Sequence, residues 1–366
     1  MNTVSSVMAV TLTLAVYAFL HYAVYTRVAG GLGLSAPKRR ALMTVLVLAG
    51  LCIIAAETFR RASWVVPLRH GGAVWLGVLA LAVSLLAVES ILSLVLPRFR
   101  RATTVTALTV LAVLVVYTLV NGSRRPVEKD FSVRLERLPA ELSGFTLVHL
   151  SDLHIGTLTP VARLRWIVDR VNHMSPDLVV ITGDLIDRDI RQDEEFYEPL
   201  GDIRTRYGVV AVPGNHDYYA GYDRFARVAS RSNIAILRNE RRLIAGAIQV
   251  AGLDEPAGRS FAEGGPDLDR ALAGCDPNLP IVLLRHRPEG VDRAVRRNVD
   301  LQLSGHTHAG QLPPVDLLVW LTHRHPFGYY EEGRSRIYVS AGTGTWGPPM
   351  RLFSHNEIVR ITLVGK

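Results

Sequence analysis

FTLVHLSDLH, residues 145–154, decides how this chain is read. Phe145–Leu150 forms a short, mostly apolar strand. The next four residues put a carboxylate, Asp152, and an imidazole, His154, two positions apart. In extended backbone alternate side chains point the same way, so both can reach one cation. The layout recurs downstream, each time as an apolar run followed by polar groups. Leu178–Thr182 runs into Gly183-Asp184-Leu185-Ile186-Asp187, and Val209–Val212 into Pro213-Gly214-Asn215-His216-Asp217. Ile281–Leu284 precedes His286, and Leu301–Leu303 precedes Gly305-His306-Thr307-His308. Asp, Asn and His side chains gathered at strand ends describe a two-metal hydrolytic centre. Asp184 has two oxygens with which to bridge, and Asn215 offers a neutral carbonyl. Hard oxygens mixed with imidazole suit two Mn, Fe or Zn ions better than Ca or Mg.

Between these runs, Val161–Met174 is an amphipathic helix ending at Ser175-Pro176, and Ile248–Ala251, Ile337–Ser340 and Ile358–Leu363 are further strands. Helices between the early strands indicate parallel βαβ units, and the closer-spaced late strands suggest a second sheet. The expected architecture is α/β, with two sheets face to face and helices covering both. Cys52 and Cys275 give no CxxC and no disulfide framework, so they leave the compartment open.

The N-terminal third is different. Val4–Tyr25, Ala41–Phe59, Ala73–Leu96 and Thr103–Val120 are each close to the about 20 apolar residues that cross a bilayer as a helix. The first has no basic n-region and no small-residue cleavage site, which argues against a cleaved signal peptide. The expected organisation is a transmembrane region over 1–125, a linker and lead-in strand over 126–144, and a catalytic domain over 145–366. Charge divides the same way. Residues 1–130 carry 13 Lys and Arg against 4 Asp and Glu, whereas 131–366 carry 28 against 29. The basic excess therefore sits beside the spans, where it sets topology and meets lipid headgroups. A basic footprint for nucleic acid is missing from the remainder. Seven basic residues lie in the first and third loops, against six (Arg60, Arg61, Arg69, Arg124, Arg125, Lys129) on the other side. The count leans toward a catalytic domain on the outer face of a multi-pass cell-membrane protein. Glu89, inside the third span, and Glu57, near the end of the second, read as a polar contact in a four-helix bundle and a side chain reaching the interface.

Five blocks in order, D-x-H, G-D, G-N-H-D, a lone His after a strand and G-H-x-H, resemble the calcineurin-like metallophosphoesterase superfamily, and its membrane-associated bacterial branch in particular. The resemblance runs from Phe145 to the C-terminus. It implies a four-layer αββα sandwich. It also implies roles by position: Asp152, His154 and His308 on one metal, Asn215, His286 and His306 on the other, and Asp184 bridging. A water between the cations would attack phosphorus in line. His216 would protonate the leaving oxygen or stabilise its charge, with Asp187 as its orienting partner and Asp217 as the rival. Gly342–Ile358 is similar to the family's last active-site loop, where Arg351 reads either as a phosphate contact or as a surface ion pair.

Other residues carry blander expectations. His149 reads as a packed strand residue, and His323 and His325 as solvent-exposed loop residues. Tyr218, Tyr219 and Tyr222 either line a pocket mouth or pack, and Cys275 is a helix-end residue. Functionally the chain reads as a membrane-anchored phosphohydrolase acting on a phosphate ester or pyrophosphate, with the anchor favouring a lipid-linked or envelope substrate. The alternatives are a nucleotide or cyclic-nucleotide phosphodiesterase, or a membrane sensor or transporter with a phosphoesterase-like regulator.

Overall fold

Four long apolar helices begin the chain: α1 (Thr3–Gly31), α2 (Ala36–Thr58), α3 (Val66–Val95) and α4 (Arg100–Ser123). All four are long and apolar enough to cross a membrane. They satisfy their backbone groups internally, as a lipid environment demands. The computed structural model describes residues 3–59, 62–156, 159–190, 192–260 and 264–365. Arg60 and Arg61, counted above in the second loop, lie outside them. Proline in the first turn of α2 and of α3 starts each helix where a missing N–H costs no internal bond.

The buried carboxylate of α3 has partners. Glu89 accepts from Arg27 Nε of α1 at 2.5 Å and from the Thr103 and Thr104 hydroxyls of α4 at 2.9 and 3.1 Å. Arg27 also donates to Ser93 Oγ. This pairing neutralises a charge that would be costly in an apolar bundle. Glu57 is exposed at the end of α2.

The chain forms two compact units. One joins the helices Met1–Ser123 with Gln311–Leu317 and Gly347–Phe353; the other contains Arg124–Gly310, Leu318–Trp346 and Ser354–Lys366. In the first, Leu312 and Met350 pack with Leu81 between α3 and α4. Met350 lies where a side chain on Gly77 would go. The backbone N–H of Arg351 donates to the Thr118 carbonyl at 3.1 Å. Arg351 is fully buried. That corrects its reading as a surface ion pair.

The second unit holds two six-stranded sheets. The first has β1 (Val127–Arg134), β2 (Phe145–Leu150), β3 (Leu178–Thr182), β4 (Val209–Val212), β5 (Ile234–Ile236) and β12 (Glu357–Val364), in the order β1-β12-β2-β3-β4-β5. The second has β6 (Glu240–Ile244), β7 (Ile248–Gly252), β8 (Ile281–Leu284), β9 (Leu301–Ser304), β10 (Gly328–Glu332) and β11 (Ser335–Val339), in the order β10-β11-β9-β8-β7-β6. Strands β2 to β5 run parallel, as do β7, β8, β9 and β11. The helices are α5 (Val161–His173), α6 (Glu194–Gly201), α7 (Asn215–Ala220), α8 (Tyr222–Arg231), α9 (Ala257–Ser260), α10 (Leu268–Ala271), α11 (Val291–Arg296) and α12 (Val315–Thr322).

The layers follow from period-two alternation. Val148 and Leu150 of β2 point to one core with Leu164 and Ile167 of α5, Phe196 of α6 and Phe225 of α8. Leu147 points the other way, into a core shared with Val180, Val250, Val282, Leu301 and Leu303, so it lies between the sheets. Leu283 of β8 faces out onto α10 and α11. The result is helices, sheet, sheet, helices, the αββα arrangement expected of the motifs. Strands buried on both faces read as unbroken apolar runs, which is why β3, β4 and β8 contain almost nothing else. The lead-in strand β1 pairs in parallel with β12, in register from Val127↔Glu357 to Arg134↔Val364.

Candidate metal centre

The ligand-type residues leave the sheets at strand C-terminal ends and enter tight backbone. Asp152, His154, Asp184, His306 and His308 all have positive φ, between 45° and 71°. Non-glycine residues rarely adopt this region, at a cost of about 1–3 kcal/mol each that the surrounding structure must offset. The offset is visible in backbone pairing. The N–H of Asp152 donates to the Gly183 carbonyl and that of His154 to the Asp184 carbonyl, both at 3.0 Å. Close approach also needs glycine. A Cβ on Gly214 would overlap the backbone nitrogen and Oδ1 of Asp184, and one on Gly305 would overlap Ser151 Oγ and Asp152 Oδ2.

These turns bring seven candidate ligands together around Asp184. Asp184 Oδ2 stands 3.6 Å from His154 Nε2 and 3.3 Å from His286 Nε2. On one side Asp152, His154 and His308 converge, with His154 Nε2 and His308 Nε2 3.1 Å apart and His308 Nε2 3.5 Å from Asp152 Oδ1. On the other side Asp184, His286 and His306 converge, with His306 Nδ1 and Asn215 Oδ1 each 3.1 Å from His286 Nε2.

The donor set fits cations. His286 Nδ1 lies 2.8 Å from the Thr182 carbonyl, which can only accept, so Nδ1 carries the proton. In the neutral ring Nε2 then presents a lone pair to Asn215 Oδ1, Asp184 Oδ2 and His306 Nδ1. Such a cluster of buried lone pairs requires a positive species among them, a proton or a metal ion. Without metal the proton wins: burial lowers the His286 pKa, but the Asp184 carboxylate outweighs it and pushes the ring up to about 10. Burial raises Asp184 in turn, yet His286 and His154 hold it well below the usual carboxylate range. Two carboxylates, an amide oxygen and four imidazoles suit Mn, Fe or Zn.

His216 sits beside this cluster, partly exposed. Its Nδ1 is 3.0 Å from Asp187 Oδ1, and its ring centroid is 4.7 Å from that of His154. Burial lowers its pKa, but the bond to Asp187 and the Asp184 charge more than compensate and raise it. Asp217 faces elsewhere, accepting the N–H groups of Ile186 and Gly214 at 3.0 and 2.8 Å. Burial pushes the Asp217 carboxyl up to about 7.

A buried chain lies beneath Asp152. His149 Nε2 is 2.7 Å from Thr182 Oγ1, which donates to Ser151 Oγ at 2.9 Å, which donates to Asp152 Oδ2 at 2.5 Å. Burial drives the His149 pKa down to about 3, so the ring is neutral. Ser151 and Thr182 were not singled out from sequence, although each neighbours a ligand motif. Nor was Glu255, which follows β7 as the ligands follow their strands. Glu255 is 1% exposed, is bonded to Arg287 Nε at 2.5 Å, and its charge reaches His286.

Other expectations resolve by packing. Tyr218 is buried and stacks on Tyr222, while Tyr219, 40% exposed, and Trp346, 45% exposed, flank His216. His325 corrects the reading of a solvent-exposed loop: it is 3% exposed, 2.9 Å from Glu332. The loop from Gly342 lies against the first ligand turn, with Thr343 and Gly344 N–H groups donating to the Ser151 and Asp152 carbonyls at 2.7 and 3.0 Å.

Comparison with known proteins agrees with this geometry. Residues 145–310 match the model of the calcineurin-like phosphoesterase family. A transmembrane protein with metallophosphoesterase domain from Danio rerio is 39% identical over 272 residues, covering 71% of this chain and 62% of that protein. An uncharacterized metallophosphoesterase of Helicobacter pylori is 36% identical over 248 residues, 67% of this chain and 66% of its own length. Another, from Aquifex aeolicus, is 32% identical over 246 residues, 66% of this chain and 92% of that one. The chain thus spans just under two thirds of the first two relatives.

Proposed function

This chain belongs to the calcineurin-like phosphoesterase family, and from that premise we propose that it is a membrane-anchored phosphohydrolase cleaving phosphate ester or pyrophosphate bonds at a dinuclear metal centre. Asp152, His154 and His308 would hold one ion and Asn215, His286 and His306 the other, with Asp184 within reach of both groups. The observation that carries this reading is the convergence of carboxylate, amide and imidazole ligand atoms in two groups that meet at Asp184. Two Mn, Fe or Zn ions, when bound, supply Lewis acidity that activates water and neutralises phosphate charge.

The chain's own groups complete the chemistry. His216, its pKa raised by the bond to Asp187, would donate a proton to the leaving oxygen. The turns at Asp152, Asp184 and His306 are fixed by backbone bonds, so the ligands need little reorganisation. Four membrane-spanning helices keep the centre with the bilayer, which favours a lipid-linked or envelope phosphoester, and the loop charges favour the outer side. The rim aromatics Tyr219 and Trp346 support a second reading, a nucleotide phosphodiesterase, because exposed rings can stack a base.

A substrate panel tests both readings. Detergent-solubilised full-length protein, loaded separately with Mn, Zn and Fe, is assayed on a phosphomonoester, a phosphodiester, a lipid diphosphate and a cyclic nucleotide. Turnover fastest on the lipid supports the first reading. Turnover fastest on the nucleotide replaces it with the second, and no metal-dependent turnover of any substrate rejects both.

A further inference from the structure

Helix α12 reads VDLLVWLT, and none of its side chains is buried. Leu317, Leu318, Trp320 and Leu321 are 61%, 58%, 60% and 75% exposed. A soluble helix normally shows apolar residues on one face and hides them. This one shows them on every side. A cluster of large exposed apolar groups marks an interaction site.

Its root identifies the partner. The first turn of α12, with the segment before it (Gln311–Leu317), belongs to the unit built of the four apolar helices, and the helix continues without a break from Leu318, which belongs to the other unit. Leu312 is buried with Leu81 of α3 and Met350, and partly buried Val78, Leu111, Leu114 and Val115 close around them. Leu111 lies at the middle of α4, and Leu114 and Val115 within its C-terminal half. The Gln311 carbonyl accepts from Leu352 N–H at 2.9 Å. The helix therefore starts from a segment fixed among membrane-spanning helices. A protein partner would need one apolar face, whereas acyl chains can surround a helix. A tryptophan among leucines suits the boundary between headgroups and acyl chains.

We propose that α12 dips into the bilayer that α1 to α4 cross, with Leu317, Leu318, Trp320 and Leu321 in lipid. This rests on the membrane spans and stands apart from the catalytic reading. Gln311 follows His308 by three residues, so the lipid contact continues covalently from the turn that carries two of the centre's histidines.

The test is fluorescence of the full chain in phosphatidylcholine–phosphatidylglycerol vesicles. The difference between wild type and Trp320→Phe isolates the Trp320 emission. Bromine on the acyl chains should quench that difference, and aqueous acrylamide should leave it largely intact. Quenching by acrylamide instead, or shielding from both quenchers as a protein contact would give, overturns the proposal. Should Trp320→Phe not fold, Leu321→Trp provides a second probe: its added emission over wild type must show the same bromine quenching.

Discussion

Nδ1 of His216 lies 3.0 Å from Oδ1 of Asp187, while the neighbouring Asp217 is committed to the N–H groups of Ile186 and Gly214. Two carboxylates close in sequence thus have separate tasks, one holding an imidazole and one holding a turn. Asp187 raises the His216 pKa; the proposed general acid must be protonated, so activity should fall as pH rises through that pKa. Asp187→Asn lowers it. The alkaline limb of the kcat profile should move to lower pH, with kcat down by about 10–100-fold, the usual cost of losing an orienting partner. An unmoved limb in a pH–rate series would reject the assignment.

Metal and proton compete at His286. Its pKa in the metal-free centre is pushed up to about 10, so as a proposed ligand the ring must give up a proton before it binds metal. Metal binding should release protons. Affinity should rise between pH 7 and 9 by about tenfold per unit for each proton displaced. Titration calorimetry in buffers of different ionisation enthalpy measures the release directly.

Gly214 leaves no room for a methyl group against Asp184. Gly214→Ala should cost about 1–3 kcal/mol from overpacking and weaken metal binding by displacing Asp184. Thermal unfolding with and without added Mn checks both. The variant should also lose most of the metal-induced rise in unfolding temperature.

Ser151→Ala breaks the chain from His149 to Asp152 at the hydroxyl that donates to Asp152. Metal affinity should fall by about 10–100-fold, since partners that orient a ligand carry effects of that size. Equilibrium dialysis against Mn reads the change, and circular dichroism should remain that of the wild type.

Sequence showed the fold where burial is two-sided. Strands β3, β4 and β8 are nearly continuous apolar runs, and β2 and β9 are mostly or alternately apolar; all five lead into candidate ligand motifs, so their positions and the polar groups after them could be read directly. Apart from the lead-in strand β1, the edge strands were illegible. Glu240–Ile244 and Gly328–Glu332 are polar members held by one neighbour each, and three-residue β5 is too short to show a period. That β12 returns to the first sheet, between β1 and β2, depends on contacts more than 200 residues apart. Local pattern does not encode it.

The candidate site was legible because ligand chemistry restricts residue type. Its support was not, because Ser151, Thr182 and Glu255 are ordinary residues until folding places them. His325 was misread for the same reason: Glu332, seven residues away, becomes its partner only when β10 forms.

The most direct test is metal stoichiometry coupled to turnover. Full-length wild type and Asp184→Asn, loaded with Mn in vesicles, are compared by elemental analysis and by hydrolysis of a chromogenic phosphodiester. Two metal equivalents per chain with turnover in wild type, and loss of both in a variant still inserted in the membrane, is the expected result. A variant that keeps both its metal and its turnover contradicts a centre built around Asp184.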